Sequence, residues 1–418
     1  MSQNRLFFGW WLLFGIFASY TALVGIQVYT LPLFYPELIR EFGWSAEKVT
    51  RAATVFYLTG AIITPFVSSL FDRFSARNFM IAGALASVIG LYSYRSLHTL
   101  PQMMLIYMIF SLSQVCAGQV PTMLVVTRWF KRYRGIAVAI TLIGPDVGGA
   151  IFPLIVKKVL ATGDWRDALF VLMLFSGVMM LLPMIFLIRS RPEDKGLSPD
   201  GDPPKTAAPD SPVSQATHAG MTLKEAVRTP AFYILAFATG SLWFCMNGIV
   251  QHQTIFMSSE LGLTMDTLPV VISAIFWFAI IGKLLIGYLS DHFDKILLMF
   301  IVVITLVGGL ILLRLSSAGN LFELYCYAAV FGIGYSGTFT MIQLVIAEFY
   351  AGQSYGKILG VLTMVDVGAG GLAITVIAQM QEAFRSYLPV FDMLIVLGCL
   401  VAILVLFLFR MRRNPLRK

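Results

Sequence analysis

The sequence predicts an all-α membrane protein, with twelve transmembrane helices in two six-helix bundles, and three observations carry that reading. Hydrophobic residues fill 58% of the 418 positions and charged residues 12%, and the mean hydropathy is +0.81. A soluble domain is about one-quarter charged, and so few charges could not cover the wetted surface of a soluble chain this long. Apolar stretches of about 20 residues, the length that crosses a hydrocarbon core, recur along the whole chain. Finally, the second half repeats features of the first at matching places.

The spans read, in order, as 8–35, 49–71, 77–97, 101–127, 134–158 and 166–189, then 229–256, 266–290, 295–315, 321–348, 356–381 and 387–410. The stretch from Phe7 is broken by Tyr20, Gln27 and Pro32 and lacks a small-residue cleavage site after a short apolar core, so it reads as a retained first span. Residues 190–228 contain Ser198-Pro199-Asp200-Gly201-Asp202-Pro203-Pro204-Lys205 and then Ala, Ser, Pro and Thr, a composition that buries no core and reads as a flexible linker. Within it, Met221 to Val227 reads as a short amphipathic helix. The expected organisation is therefore an N-terminal bundle (1–189), a cytoplasmic linker (190–228) and a C-terminal bundle (229–418).

Charge sets the orientation. With the N-terminus in the cytoplasm, 20 Lys and Arg residues fall on the inner side and 9 on the outer, and Lys283 alone falls within a span. Both termini and the linker are then cytoplasmic, in a multi-pass protein of the cell (inner) membrane. The net charge of +8 is accounted for by these inner loops, and no nucleic-acid partner is expected. Cys116, Cys245, Cys326 and Cys399 lie in apolar segments without metal-ligand spacing, as small hydrophobes do. No metal or other cofactor is expected.

The internal repeat is sharpest at two places. Ser68-Ser69-Leu70-Phe71-Asp72-Arg73 after span 2 matches Gly287-Tyr288-Leu289-Ser290-Asp291-His292 after span 8, each a short acidic–basic turn. Thr141-Leu142-Ile143-Gly144-Pro145-Asp146-Val147-Gly148-Gly149 in span 5 matches Thr363-Met364-Val365-Asp366-Val367-Gly368-Ala369-Gly370-Gly371 in span 11. Glycines at this density let membrane helices approach closely, and repeats with a solute held between them are the usual plan of secondary transporters. These turns, the Gly-Pro of span 5 and the six–linker–six layout resemble the major facilitator superfamily over nearly the whole chain. Gly9-Trp10-Trp11, Thr127-Arg128-Trp129-Phe130 through Arg134-Gly135-Ile136-Ala137, Gly332-Ile333-Gly334-Tyr335 and Tyr355-Gly356 resemble its monocarboxylate transporter and oxalate–formate antiporter branch. That resemblance implies transport by alternating access.

Ionisable groups inside a membrane are costly and mark function. Lys283 lies eight residues before Asp291, about 12 Å into the membrane at helical rise, and is the candidate cation for an anionic solute; a lysine whose head snorkels to the interface is the bland reading. In the resembling branch an aspartate stands four residues before the basic position; here Ala279 stands there, so coupling chemistry has to come from elsewhere. Asp366 and Asp146 are the candidates for binding a proton or balancing Lys283, against a packing role beside glycines. Tyr29, Gln114, Gln119, His252 and Tyr335 are candidate solute contacts, each weighed against an ordinary interhelical hydrogen bond. Asp72, Arg73 and Asp291 are candidate gating residues.

The function expected is secondary active transport of a small, monocarboxylate-like organic anion, by proton-coupled symport or anion exchange, in a protein that works as a monomer. Efflux of an amphipathic or drug-like compound is the alternative in the same class, and a transporter-derived membrane receptor the alternative in another. No nucleotide-binding loop, metal cluster or nucleophile–base pair is evident, so no enzyme is expected. Solute identity, coupling ion and direction of flux are not encoded in any motif.

Overall fold

The computed structural model describes residues 7–70, 75–201, 221–350 and 355–413. These form helices joined by short turns, with no strand among the described residues. The long helices are α1 (Phe8–Phe42), α2 (Ala46–Leu70), α3 (Ala76–Arg95), α4 (Leu100–Trp129), α5 (Arg134–Leu160) and α6 (Trp165–Phe186), then α7 (Pro230–Ser259), α8 (Leu268–Ser290), α9 (Lys295–Leu315), α10 (Leu321–Tyr350), α11 (Tyr355–Phe384) and α12 (Leu388–Arg413). Ten of them are long and apolar enough to cross a membrane. The remaining two, α2 with 25 residues and α3 with 20, reach the ~30 Å of a hydrocarbon core at 1.5 Å per residue but are more polar. Glu47, Lys48 and Arg51 at the start of α2 and its threonines lower its hydropathy.

Large apolar side chains lie exposed along the helices, among them Phe14, Ile62, Ile89, Phe186, Leu284 and Ile403. Scattered over so many helices, they mark a surface whose solvent is hydrocarbon, since in lipid the apolar side chain has no reason to turn inward.

Contacts divide the chain into two compact units: Met1–Phe34 with Leu58–Val213, and Tyr35–Tyr57 with Ser214–Lys418. In the first unit, α1 packs on α5, and α3 packs on α4 and α6. The α1–α5 crossing needs glycine on both sides: a Cβ at Gly25 would sit 2.5 Å from the Gly148 Cα. Gly25 opens a π turn (Gly25–Thr30), and the chain passes through a 3-10 turn (Leu31–Phe34) before resuming as helix. A polar cluster lies inside this unit. Gln27 Nε2 donates to Ser87 Oγ at 2.9 Å and to Ser113 Oγ at 3.3 Å, and the Ser87 and Ser176 hydroxyls are 2.9 Å apart.

Part of the stretch expected to be a flexible linker is ordered on the first unit. Asp200, at φ 60°, is buried, and its Oδ2 accepts from the backbone N–H of Lys131 at 3.0 Å and of Arg132 at 2.7 Å. The turn succeeds because Asp200 and Gly201 (φ 74°) both take the left-handed conformation that Asp and Gly tolerate best. Lys195 Nζ sits 3.6 Å from the Phe8 ring centroid, and Trp129 Nε1 donates to the Arg189 carbonyl at 2.9 Å. Composition reads these residues as loose because each polar group looks solvated; their partners lie on α1, α4 and the α4–α5 turn, far away in sequence. The short helix expected at Met221–Val227 is present as Leu223–Ala226, closed by reciprocal capping between Thr222 and Glu225. The Thr222 backbone N–H, donating to Glu225, holds that carboxyl below its ordinary value.

In the second unit α10 packs on α8 and α9, α7 packs on α11 and α12, and α9 packs on α12. Asp294 caps α9, accepting from the N–H of Ile296 at 2.9 Å and of Leu297 at 3.1 Å.

Candidate functional site

Two stripes at four-residue spacing organise the second unit, the period that stacks side chains on one helix face. On α7 the stripe is Thr239, Trp243, Asn247 and Gln251; on α10 it is Tyr327, Phe331, Tyr335 and Phe339. The α10 rings pack in series, with centroids 5.1 Å apart for Tyr327–Phe331 and 5.9 Å for Phe331–Tyr335. Phe339, at the far end, packs 5.9 Å from Trp243, and the Lys283 ammonium on α8 lies 5.5 Å from the Phe339 centroid. Trp243, Lys283 and Phe339 are all half-buried, so each keeps an accessible side. Three helices thus bring a cation, an indole and a phenyl ring together.

Several donors here lack an acceptor. Trp243 Nε1 and Asn247 Nδ2 are buried with no hydrogen-bond partner among the described residues. The other end of the Asn247 amide is occupied, since Oδ1 accepts from the Tyr57 hydroxyl at 3.0 Å. One turn further along, Gln251 Oε1 accepts from the Tyr35 hydroxyl at 3.0 Å, and the Thr54 and Thr375 hydroxyls lie 3.0 Å apart. The segment Tyr35–Tyr57 is therefore held to α7 and α11 by side-chain hydrogen bonds.

Asp366 on α11 is 1% exposed, and the Thr239 hydroxyl stands beside it without closing a good hydrogen bond. Asp366 Oδ1 and Thr239 Oγ1 both lack a geometric partner among the described residues.

The other expected site residues fall as follows. His252 is buried, with Nδ1 3.0 Å from the Tyr387 hydroxyl and Nε2 2.9 Å from the Ile374 carbonyl oxygen. Both ring nitrogens are engaged inside the unit, which leaves none for a solute and gives the residue the geometry of a strut between α7, α11 and α12. Tyr335 is buried between Phe331 and Phe276. Asp291 is exposed at the end of α8, while capping of the next helix falls to Asp294. Tyr29 and Gln114, both half-buried, Gln119, exposed, and Asp146, 1% exposed, all belong to the first unit. Asp72 and Arg73 lie outside the described residues.

Trp243, Asn247, Phe339, Tyr57 and Thr239 do not follow from a search for buried charge. For all but Tyr57, which lies on α2, the signal is the two four-residue stripes, but an aromatic or amide at helical spacing is by itself an ordinary packing pattern.

A sequence profile described as Major Facilitator Superfamily matches residues 12–374 and, in a second alignment, 253–418. Among curated relatives, monocarboxylate transporter 6 of Homo sapiens is 22% identical, covering 86% of this chain and 72% of its own. The membrane sensor protein UhpC of Escherichia coli (strain K12) is 27% identical over 61% of this chain and 59% of its own. The crystal structure of a bacterial homolog of the human lysosomal transporter Spinster aligns with a TM-score of 0.73 over 98% of both chains, at 15% identity.

Proposed function

The chain belongs to the major facilitator superfamily, a family of membrane transporters with an alternating-access fold, and from that premise we propose that it carries a small organic anion, with Lys283 as the anion-binding cation. The single observation behind this reading is Lys283 itself: a half-buried ammonium on a membrane-crossing helix, set over the Phe339 ring. A carboxylate leaving water needs a compensating charge in a low-dielectric cavity, and lysine supplies it as a point charge. The name of monocarboxylate transporter 6 agrees with that chemistry. Coupling is assigned to Asp366, a carboxyl 1% exposed whose Oδ1 has no hydrogen-bond partner among the described residues. Flux then runs as proton symport or anion exchange, in a monomer of the cytoplasmic membrane with both termini inside, the orientation the Lys and Arg bias favours.

Uptake of a radiolabelled carboxylate into proteoliposomes tests this. Imposed pH and solute gradients should each drive uptake by the purified protein, and a complete failure of both to do so would sink the reading. Lys283→Ala separates it from efflux of a neutral or cationic amphipathic compound, since anion flux should collapse while that efflux survives. The similarity to a membrane sensor supports a second reading, a receptor that binds the same anion and moves none. Saturable binding without flux under any gradient would favour the sensor.

A further inference from the structure

Trp243 packs on Phe339 beside the candidate anion site and carries a polar group with no bonding partner among the described residues. Its indole N–H is buried without an acceptor, although tryptophan usually finds one when buried. The cost of leaving a buried donor unmade is a large fraction of a hydrogen bond's worth, so the position is poorly explained as packing alone. One turn along α7, the Asn247 Nδ2 donor is buried against Gly370 of α11, also with no partner among the described residues, in a side chain 4% exposed. Around the Phe339 ring stand a cation, Lys283, and one hydrogen-bond donor, the Trp243 N–H. Lys283 and Trp243 each pack on Phe339, at 5.5 and 5.9 Å from its centroid, so an occupant that reached both would lie along an aromatic surface.

We propose that the solute is an aromatic carboxylate with an acceptor oxygen at the end remote from its acid group. Its carboxylate pairs with Lys283, its ring packs on Phe339 and Trp243, and its distal oxygen accepts from the Trp243 N–H. The assignment rests on the organic-anion reading and narrows it. A short aliphatic acid would satisfy Lys283 but leave the Trp243 donor unmet and the ring surface uncovered. Such unmet donors are what lets a site reject an analogue lacking the matching group.

Four probes separate the parts: 4-methoxyphenylacetate, phenylacetate (no distal oxygen), acetate (no ring) and 4-methoxyphenylacetamide (no charge). Binding to the purified full-length protein is measured by calorimetry, with thermal melting as an independent readout. The expected order of affinity is 4-methoxyphenylacetate, then phenylacetate, then acetate, with the amide at least tenfold weaker than its acid. Trp243→Phe keeps an aromatic body and removes the N–H. It should weaken 4-methoxyphenylacetate about fivefold to tenfold, the worth of one hydrogen bond, and leave phenylacetate within twofold. If that variant melts much lower than the parent, Phe339→Leu supplies the second arm, weakening both aromatic acids and sparing acetate. Acids that bind equally well with or without ring and distal oxygen, and are lost in Lys283→Gln, would overturn the aromatic class and leave the anion reading standing. Should no acid bind, or Lys283→Gln change nothing, both readings fall together.

Discussion

At the residue scale, two ionisable side chains inside the spans of the second unit carry opposite expectations. Lys283 is half-buried over Phe339, and removing its charge should cost the anion a charge-assisted pair. We expect Lys283→Gln to lower carboxylate flux about tenfold to a hundredfold, the equivalent of about 1.5–3 kcal/mol. Lys283→Arg should retain part of it, as read by initial uptake rates in proteoliposomes. His252 is the opposite kind of residue. Its two nitrogens are engaged by Tyr387 and Ile374, so His252→Phe should cost about 2 kcal/mol of stability and leave the pH profile of flux where it was. Thermal melting and flux between pH 5 and 8 check the two halves of that statement. A pH profile that moved with His252 would restore it as a proton carrier. Sequence alone marks both as intramembrane ionisable groups; which of them is spent on structure depends on the groups opposite, which lie on other helices.

At the element scale two features are set by close approach. The α1–α5 crossing puts Gly25 against Gly148 with room for no side chain, and the clash is with backbone, which cannot rotate away. Gly25→Val should destabilise the protein by about 3 kcal/mol, the upper end of the usual overpacking cost, seen as a lower melting temperature in detergent. The ordered turn at Asp200 is the second feature. Its carboxylate holds two backbone N–H groups of the α4–α5 turn, each a charge-assisted bond. Asp200→Ala should free the segment that follows α6, so that trypsin cuts at Lys195 markedly faster than in the parent while the helices stay intact. The glycine pattern was legible in the sequence. The docking of Asp200 was not, because a Pro-, Gly- and Asp-rich string has the same composition whether or not another loop offers it donors.

At the scale of the whole molecule, the membrane is the solvent that explains the composition, and orientation in it follows from the loops. In a background with Cys116, Cys245, Cys326 and Cys399 replaced, a cysteine at Asp291 should react with an impermeant maleimide from the cytoplasmic side only. One at Asn320 should react from the opposite side only; both positions are exposed at helix ends. Labelling of both from one side would overturn the twelve-span topology, and exchange of the two sides would invert it. The contact units also differ from the simple halves read along the chain, since Tyr35–Tyr57 packs with Ser214–Lys418. Hydroxyls of Tyr35, Thr54 and Tyr57 make that attachment, and nothing in the local sequence says which helices they will meet.

What the sequence by itself determined is what depends on local chemistry: helix length, lipid as the surrounding solvent, the repeated halves, the family, and the position of Lys283 within a span. Those properties are read from consecutive residues, because hydropathy, rise per residue and glycine content act one segment at a time. Only the tertiary structure decided that Trp243, Lys283 and Phe339 meet, that Asp366 and Thr239 share a dry, unfinished contact, and that His252 is already satisfied. These are encounters between helices distant in the chain. A side chain's function there is fixed by whichever polar or aromatic group the packing sets opposite it.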